Sequence, residues 1–149
     1  MKRIVIPSLA VLAAIAAAAG LWSARGGGEV AAPPAARIAL GEELYAENCA
    51  ACHGANLEGQ PNWRVADPSG RLPAPPHDAT GHTWHHPDDV LFRIVHDGSA
   101  AVIGDGYESD MPGFGDIMSD DEIRAVLDFI KSTWPQRAQT YQAEISRSQ

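Results

Sequence analysis

The sequence predicts an all-α fold: three to four helices wrapped around a bound apolar group, preceded by an N-terminal apolar segment. Three observations predict it. Helix-period apolar patterns with start and stop signals recur, and no alternating strand pattern does. Outside residues 1–22 the apolar fraction of the 149-residue chain falls to about 39%, lean for a self-sufficient core. A Pro-rich stretch of some 30 residues follows the only two cysteines, and such a stretch inside a compact domain needs something other than protein to wrap.

Met1-Lys2-Arg3 precedes the run Ile4 to Trp22, in which only Pro7, Ser8 and Gly20 are not apolar. Basic residues followed by an apolar run form an export signal. As a helix, 19 residues rise about 28 Å, close to the hydrocarbon thickness of a bilayer, which predicts a retained signal-anchor over residues 4–22 with the rest exported. The alternative is a signal peptide cleaved at Ala17-Ala18-Ala19. Residues 23–36, with three glycines and two prolines, read as a flexible linker of roughly 20 Å root-mean-square span.

The globular domain is expected over residues 37–134. A helix begins at Arg37, with Ile38, Leu40, Leu44, Tyr45 and Ala51 near one stripe. From Gly54 to His85, Pro61, Pro68, Pro73, Pro75 and Pro76 exclude a long helix or strand. Pro87 to Gly98 is a short helix with Asp88 and Asp89 in its first turn and Gly as its stop. Ser119 and Glu122 form a capping box for a helix carrying Ile123, Val126, Leu127 and Ile130 on one face. Ile117 and Met118 are expected to anchor its start. Trp134-Pro135 interrupts it, and the polar tail 135–149 is a candidate for one more helical segment.

The chemistry sits in Cys49-Ala50-Ala51-Cys52-His53. Two thiols at this spacing followed by His form the attachment motif for c-type haem: each Cys makes a thioether to one vinyl group, and the imidazole is held where it reaches the iron. A thioredoxin-like pair would need a strand–helix unit, a zinc site a second ligand pair, and a structural disulfide would leave His53 without a role. One covalent haem c also supplies the missing apolar surface. For the second axial position the candidates are Met111, Met118 and five further histidines. Met111, in a Gly-rich loop and stiffened by Pro112, is the expected ligand. His/Met ligation leaves no open iron site for substrate or gas.

Helix, CAACHG, Pro-rich loop, helix, MPGF loop and terminal helix, in that order, resemble the class I cytochromes c, small monohaem electron carriers. The resemblance covers about residues 37–134. It implies the cytochrome c fold, with a crossing of the first and last helices in which Gly41 and Tyr45 meet Val126, Leu127 and Phe129. It also implies a proline carbonyl accepting the proton of the axial His, with Pro61 the nearest candidate. Trp63 and Arg64 are candidate donors to the haem propionates, Trp84 a cover for a haem edge, and Phe114 a further member of the haem environment. The segment Asn62 to His86 departs from the minimal family pattern in length and in histidine content.

His77, His82, His85 and His86 fall within ten residues. They read as a polar loop at the haem edge. The competing reading is a copper or zinc site built on His82 with His85 or His86, completed by Asp78.

The formal charge is −8, and −10 without Lys2 and Arg3, which excludes a nucleic-acid backbone as partner. No nucleophile–base pair stands at suggestive spacing, so the chain reads as a non-enzyme. The expected function is one-electron transfer between redox proteins (an oxidase, a dehydrogenase or another cytochrome) on the periplasmic side of a bacterial inner membrane. Two other functions stay open. One is a peroxidase-like haem enzyme, should Met111 not bind iron. The other is a copper-handling redox protein using His82, His85 and His86.

Overall fold

The structure, a computed structural model, describes residues 34–148. Among the described residues six α-helices carry the fold: α1 (Pro34–Asn48), α2 (Ala50–His53), α3 (Asp88–Asp97), α4 (Ser99–Ile103), α5 (Asp120–Ser132) and α6 (Gln136–Arg147). A 3-10 turn spans Thr83–His85, and no strand occurs among the described residues. The all-α class is as the sequence predicts. None of these helices is long and apolar enough to cross a membrane, and the anchor expected at residues 4–22 lies outside the described residues.

The organising contact is between α1 and α5. Gly41 is buried in α1, and a Cβ there would collide with the Ala125 carbonyl of α5. Only glycine lets the two backbones come this close. Tyr45 packs beside it on Phe129, ring centroids 5.5 Å apart. Arg37 Nε donates to Asp128 across the same seam at 2.6 Å. The amphipathic pattern of α5 is realised: Ile123, Ala125, Val126, Leu127 and Ile130 are buried. That of α1 is narrower than its stripe suggests. Leu40 is 42% exposed because Gly41 and Tyr45 make the contact instead, and Ala51, also exposed, belongs to the separate helix α2.

The ends of the helices follow their signals. Ser119 and Glu122 form the reciprocal capping box, each side chain accepting from the other's backbone N–H. Met118 is buried beneath this start, whereas Ile117 is 68% exposed and anchors nothing. Gly98 ends α3 at a φ of 88°, a conformation open to glycine. α1 begins three residues before Arg37, so residues 34–36 of the expected linker are helical. α4 carries no periodicity to announce it. The polar tail does form a helix, α6, with Ala138 and Gln142 buried. Gln142 Nε2 donates to the His86 carbonyl and to Asp88 Oδ1, which clamps the tail to the 3-10 turn and the start of α3.

The Pro-rich segment is not structureless. The Gln60 amide bonds the Ala74 carbonyl at 2.9 Å, and the Ala74 amide bonds Gln60 Oε1 at 2.8 Å. Asp67 organises the tip by accepting from Ser69 and Arg71. Arg71 then pairs with Asp110 at 2.6 Å, tying the tip to the loop that precedes Met111.

Candidate functional site

Cys49 caps α2, and Cys52 and His53 end it. Positions i, i+3 and i+4 share one face of a helical turn, so both thiols and the imidazole face one way. The cysteines are free thiols, Cys52 exposed and Cys49 partly buried. Burial, and then the neighbouring Cys52, pushes the Cys49 thiol up to about 11, so before any attachment it stays protonated. Gly54 stops the helix at a φ of 82°, and its carbonyl accepts from the buried Tyr45 hydroxyl.

His53 is only 6% exposed. Its Nδ1 lies 2.9 Å from the carbonyl of Pro75. A carbonyl only accepts, so Nδ1 carries the proton and Nε2 keeps its lone pair. Burial holds the ring below the ordinary histidine range, against the opposing effect of the Pro75 bond, so the imidazole is neutral. A neutral imidazole with its second nitrogen committed to a carbonyl is the state a metal ligand requires.

The acceptor is therefore Pro75, not Pro61. Pro61 is exposed; the chain meets the His53 carbonyl at the Gly59 amide, leaves in a flap closed by the Gln60–Ala74 bridge, and returns to the His53 ring at Pro75. Distance along the chain was the wrong guide, because the flap adds length without adding reach.

Met111, the expected second ligand, is partly buried, and its Sδ accepts from the Ser99 hydroxyl at 3.4 Å. The loop bearing it is zipped onto the end of α3: the Phe114 amide bonds the Val95 carbonyl, and the Gly115 amide the His96 carbonyl. A Cβ on Gly113 would lie 2.7 Å from the His96 carbonyl, and one on Gly98 2.8 Å from the Gly113 nitrogen. These small residues allow backbone to lie on backbone, which fixes where Met111 begins. Phe114 packs against the core cluster.

The remaining expected residues divide. Trp63 stacks on His82 with centroids 5.4 Å apart, and the Arg64 guanidinium lies 4.0 Å over Trp63. Trp84 packs against the core, with its ring 3.7 Å from His85 and 5.7 Å from Tyr141 of α6. Its indole N–H is buried without a protein partner. The residues fit a haem on three counts: paired free thiols, an imidazole with the correct nitrogen available, and a buried donor that a carboxylate such as a propionate would satisfy.

A copper or zinc site does not assemble. Among the described residues no three His, Cys, Asp or Glu side chains gather as a ligand set. His82 meets the edge of His86, but the His85 ring turns to Trp84 and Tyr141, and Asp78 accepts from Thr80 instead. Stacking on the neighbouring aromatics wins over convergence on an ion.

Three contributors escape the sequence reading. The Ser99 hydroxyl and the Gly113 backbone act through tertiary placement that no spacing encodes. His77 stacks on His53, with ring centroids 4.0 Å apart and planes 22° from parallel. The Pro75-Pro76 pair immediately before it was the available signal, since two fixed φ angles aim the next residue.

The family model for cytochrome c matches residues 38–134, about two thirds of the chain. Neither the curated proteins nor the solved structures give a match. With the attachment motif at Cys49 and Cys52 and the helical fold around it, the chain belongs to the cytochrome c family, whose covalent cofactor is haem c and whose work is haem-based electron transfer.

Proposed function

We propose that this chain is a one-electron carrier whose haem c is bonded to Cys49 and Cys52 and ligated by His53 and Met111. The His53–Pro75 hydrogen bond carries the reading: it leaves Nε2 as the free, neutral donor. Haem c, when bound, supplies the ferric–ferrous couple. The chain's part is to hold that couple with little rearrangement. His53 is fixed by the Pro75 carbonyl, and the Met111 loop by its backbone bonds to α3. A site closed on both axial sides takes no substrate, which favours carrier over peroxidase. The test is the ferric absorption spectrum. A weak red charge-transfer band that disappears in Met111→Ala is expected; a high-spin ferric native protein overturns the ligand pair and reinstates the peroxidase reading.

The location follows from the leader. Residues 4–22 retained as a helix would tether the domain to the periplasmic face of the inner membrane, with residues 23–33 as the leash. The acidic domain would then meet a basic docking patch on a redox partner, and the tether raises the local concentration of a membrane-bound one. Mass spectrometry of the native protein should find an intact N-terminus. A mature start near Gly20 would give a freely diffusing periplasmic carrier instead.

A further inference from the structure

The proposed chemistry uses His53, and the hydrogen bond from Nδ1 to Pro75 fixes one direction of its ring. One hydrogen bond leaves a ring free to swing about the line of that bond. Removing the swing takes a flat surface against the ring face, and His77 provides it at 4.0 Å. His77 is itself held at several points. Its amide donates to the Leu57 carbonyl at 2.8 Å, and its carbonyl accepts from the Trp134 indole at 2.7 Å. Its Nδ1 lies 2.8 Å from the Thr83 hydroxyl oxygen, and Tyr45 presents a ring edge to it. Pro75 and Pro76 stiffen the backbone leading to it. Such an investment in one imidazole is more than filling space requires.

We infer that His77 is a positioning residue that sets the ring plane of His53, and through it the orientation of the axial imidazole toward the haem. The inference rests on His53 being the axial ligand. Outer partners that orient a ligand are among the means by which a protein tunes a metal centre.

The test uses the ferric holo-protein and reads the haem methyl proton shifts and the low-temperature electron paramagnetic resonance g values, both sensitive to the axial ring plane. His77→Leu fills the space without a flat face and is expected to change the spread of the methyl shifts and the g values. His77→Phe restores a flat face and should return both toward the wild-type pattern. Thr83→Val keeps the fold but removes the hydroxyl that holds His77, and should move both readouts in the direction of His77→Leu by a smaller amount. Unchanged readouts in both His77→Leu and Thr83→Val, with the haem still low-spin, overturn the proposal. A low-spin signature that survives in His53→Ala overturns the ligand assignment, which is a different failure and removes the premise.

Discussion

The two sides proposed to ligate the haem iron, His53 and Met111, are built by different means. His53 is delivered by its own helix, one residue after Cys52, and is buried under Pro75 and His77. Met111 is delivered by a loop whose place depends on glycines lying against the end of α3. The first side starts from a local motif, and its imidazole is then held by the Pro75 carbonyl and the His77 ring. The second is tertiary throughout and leans mainly on backbone contacts with the end of α3. A fault on the first side should lose the cofactor, whereas a fault on the second should lose one ligand and keep the cofactor.

The largest effect tests the first side. Cys49→Ala combined with Cys52→Ala should abolish covalent haem, read by haem staining after denaturation, and a stained band would end the whole reading. Next comes the second side. Gly113→Val pushes its Cβ into the His96 carbonyl and should displace the loop. Haem staining should persist while the red charge-transfer band is lost. Loss of both together would show that the two sides are not separable. Gly41→Ala belongs to neither side. It should lower the stability of the whole domain by about 1–3 kcal/mol through overpacking, with no change in the spectrum of the folded protein, as followed by denaturant titration. Gln142→Ala leaves the His86 carbonyl and Asp88 without their clamp and should cost about 1–2 kcal/mol. Hydrogen exchange should show the loss concentrated in α6 and the 3-10 turn.

The smallest effect is a pH dependence. Burial, followed by neighbouring imidazoles, holds His82 and His86 below the ordinary histidine range, with Arg64 adding to the effect on His82. The unfolded chain therefore takes up protons first as pH falls. Their contribution is present above about pH 6.5 and is lost as pH drops below it. The thermal midpoint should fall between pH 7 and pH 5, and less steeply in the His82→Gln/His86→Gln double variant. An equal slope in that variant would remove these residues from the account.

The contrast between the sides also decides what could be read from sequence. The capping box of α5, the glycine stop of α3 and the attachment motif are short-range patterns, each with a local physical cause, and each is present as expected. The Met111-Pro112 loop stands out in the sequence, but not the means of holding it: Gly113 and Gly98 matter for what lies opposite them, which sequence does not show. Pro61 was misleading because five prolines compete and only folding decides which carbonyl returns to His53. Leu40 misled for a related reason. Its periodicity is correct, but a glycine beside it lets α5 approach so closely that the contact shifts one position along the helix. The competing metal-site reading of the histidine loop counted ligands without their rotamers, and stacking turns His82 to Trp63 and His85 to Trp84 and Tyr141.

The seam between α1 and α5 joins residues far apart in sequence, as the Arg37–Asp128 pair shows across 91 positions. A domain closed by its two ends has an unusual tolerance in the middle. Once the ends are paired, doubling the length of an intervening loop adds only about 0.6 kcal/mol of closure entropy. The long flap between His53 and Pro75 is thus inexpensive to keep and free to diverge, provided that its two feet stay together at Gln60 and Ala74. The same closure makes assembly slow to begin, because no contact in the seam forms until nearly the whole domain has left the ribosome. If the chain is exported as proposed, that delay is compatible with threading through a membrane unfolded and folding only on the far side.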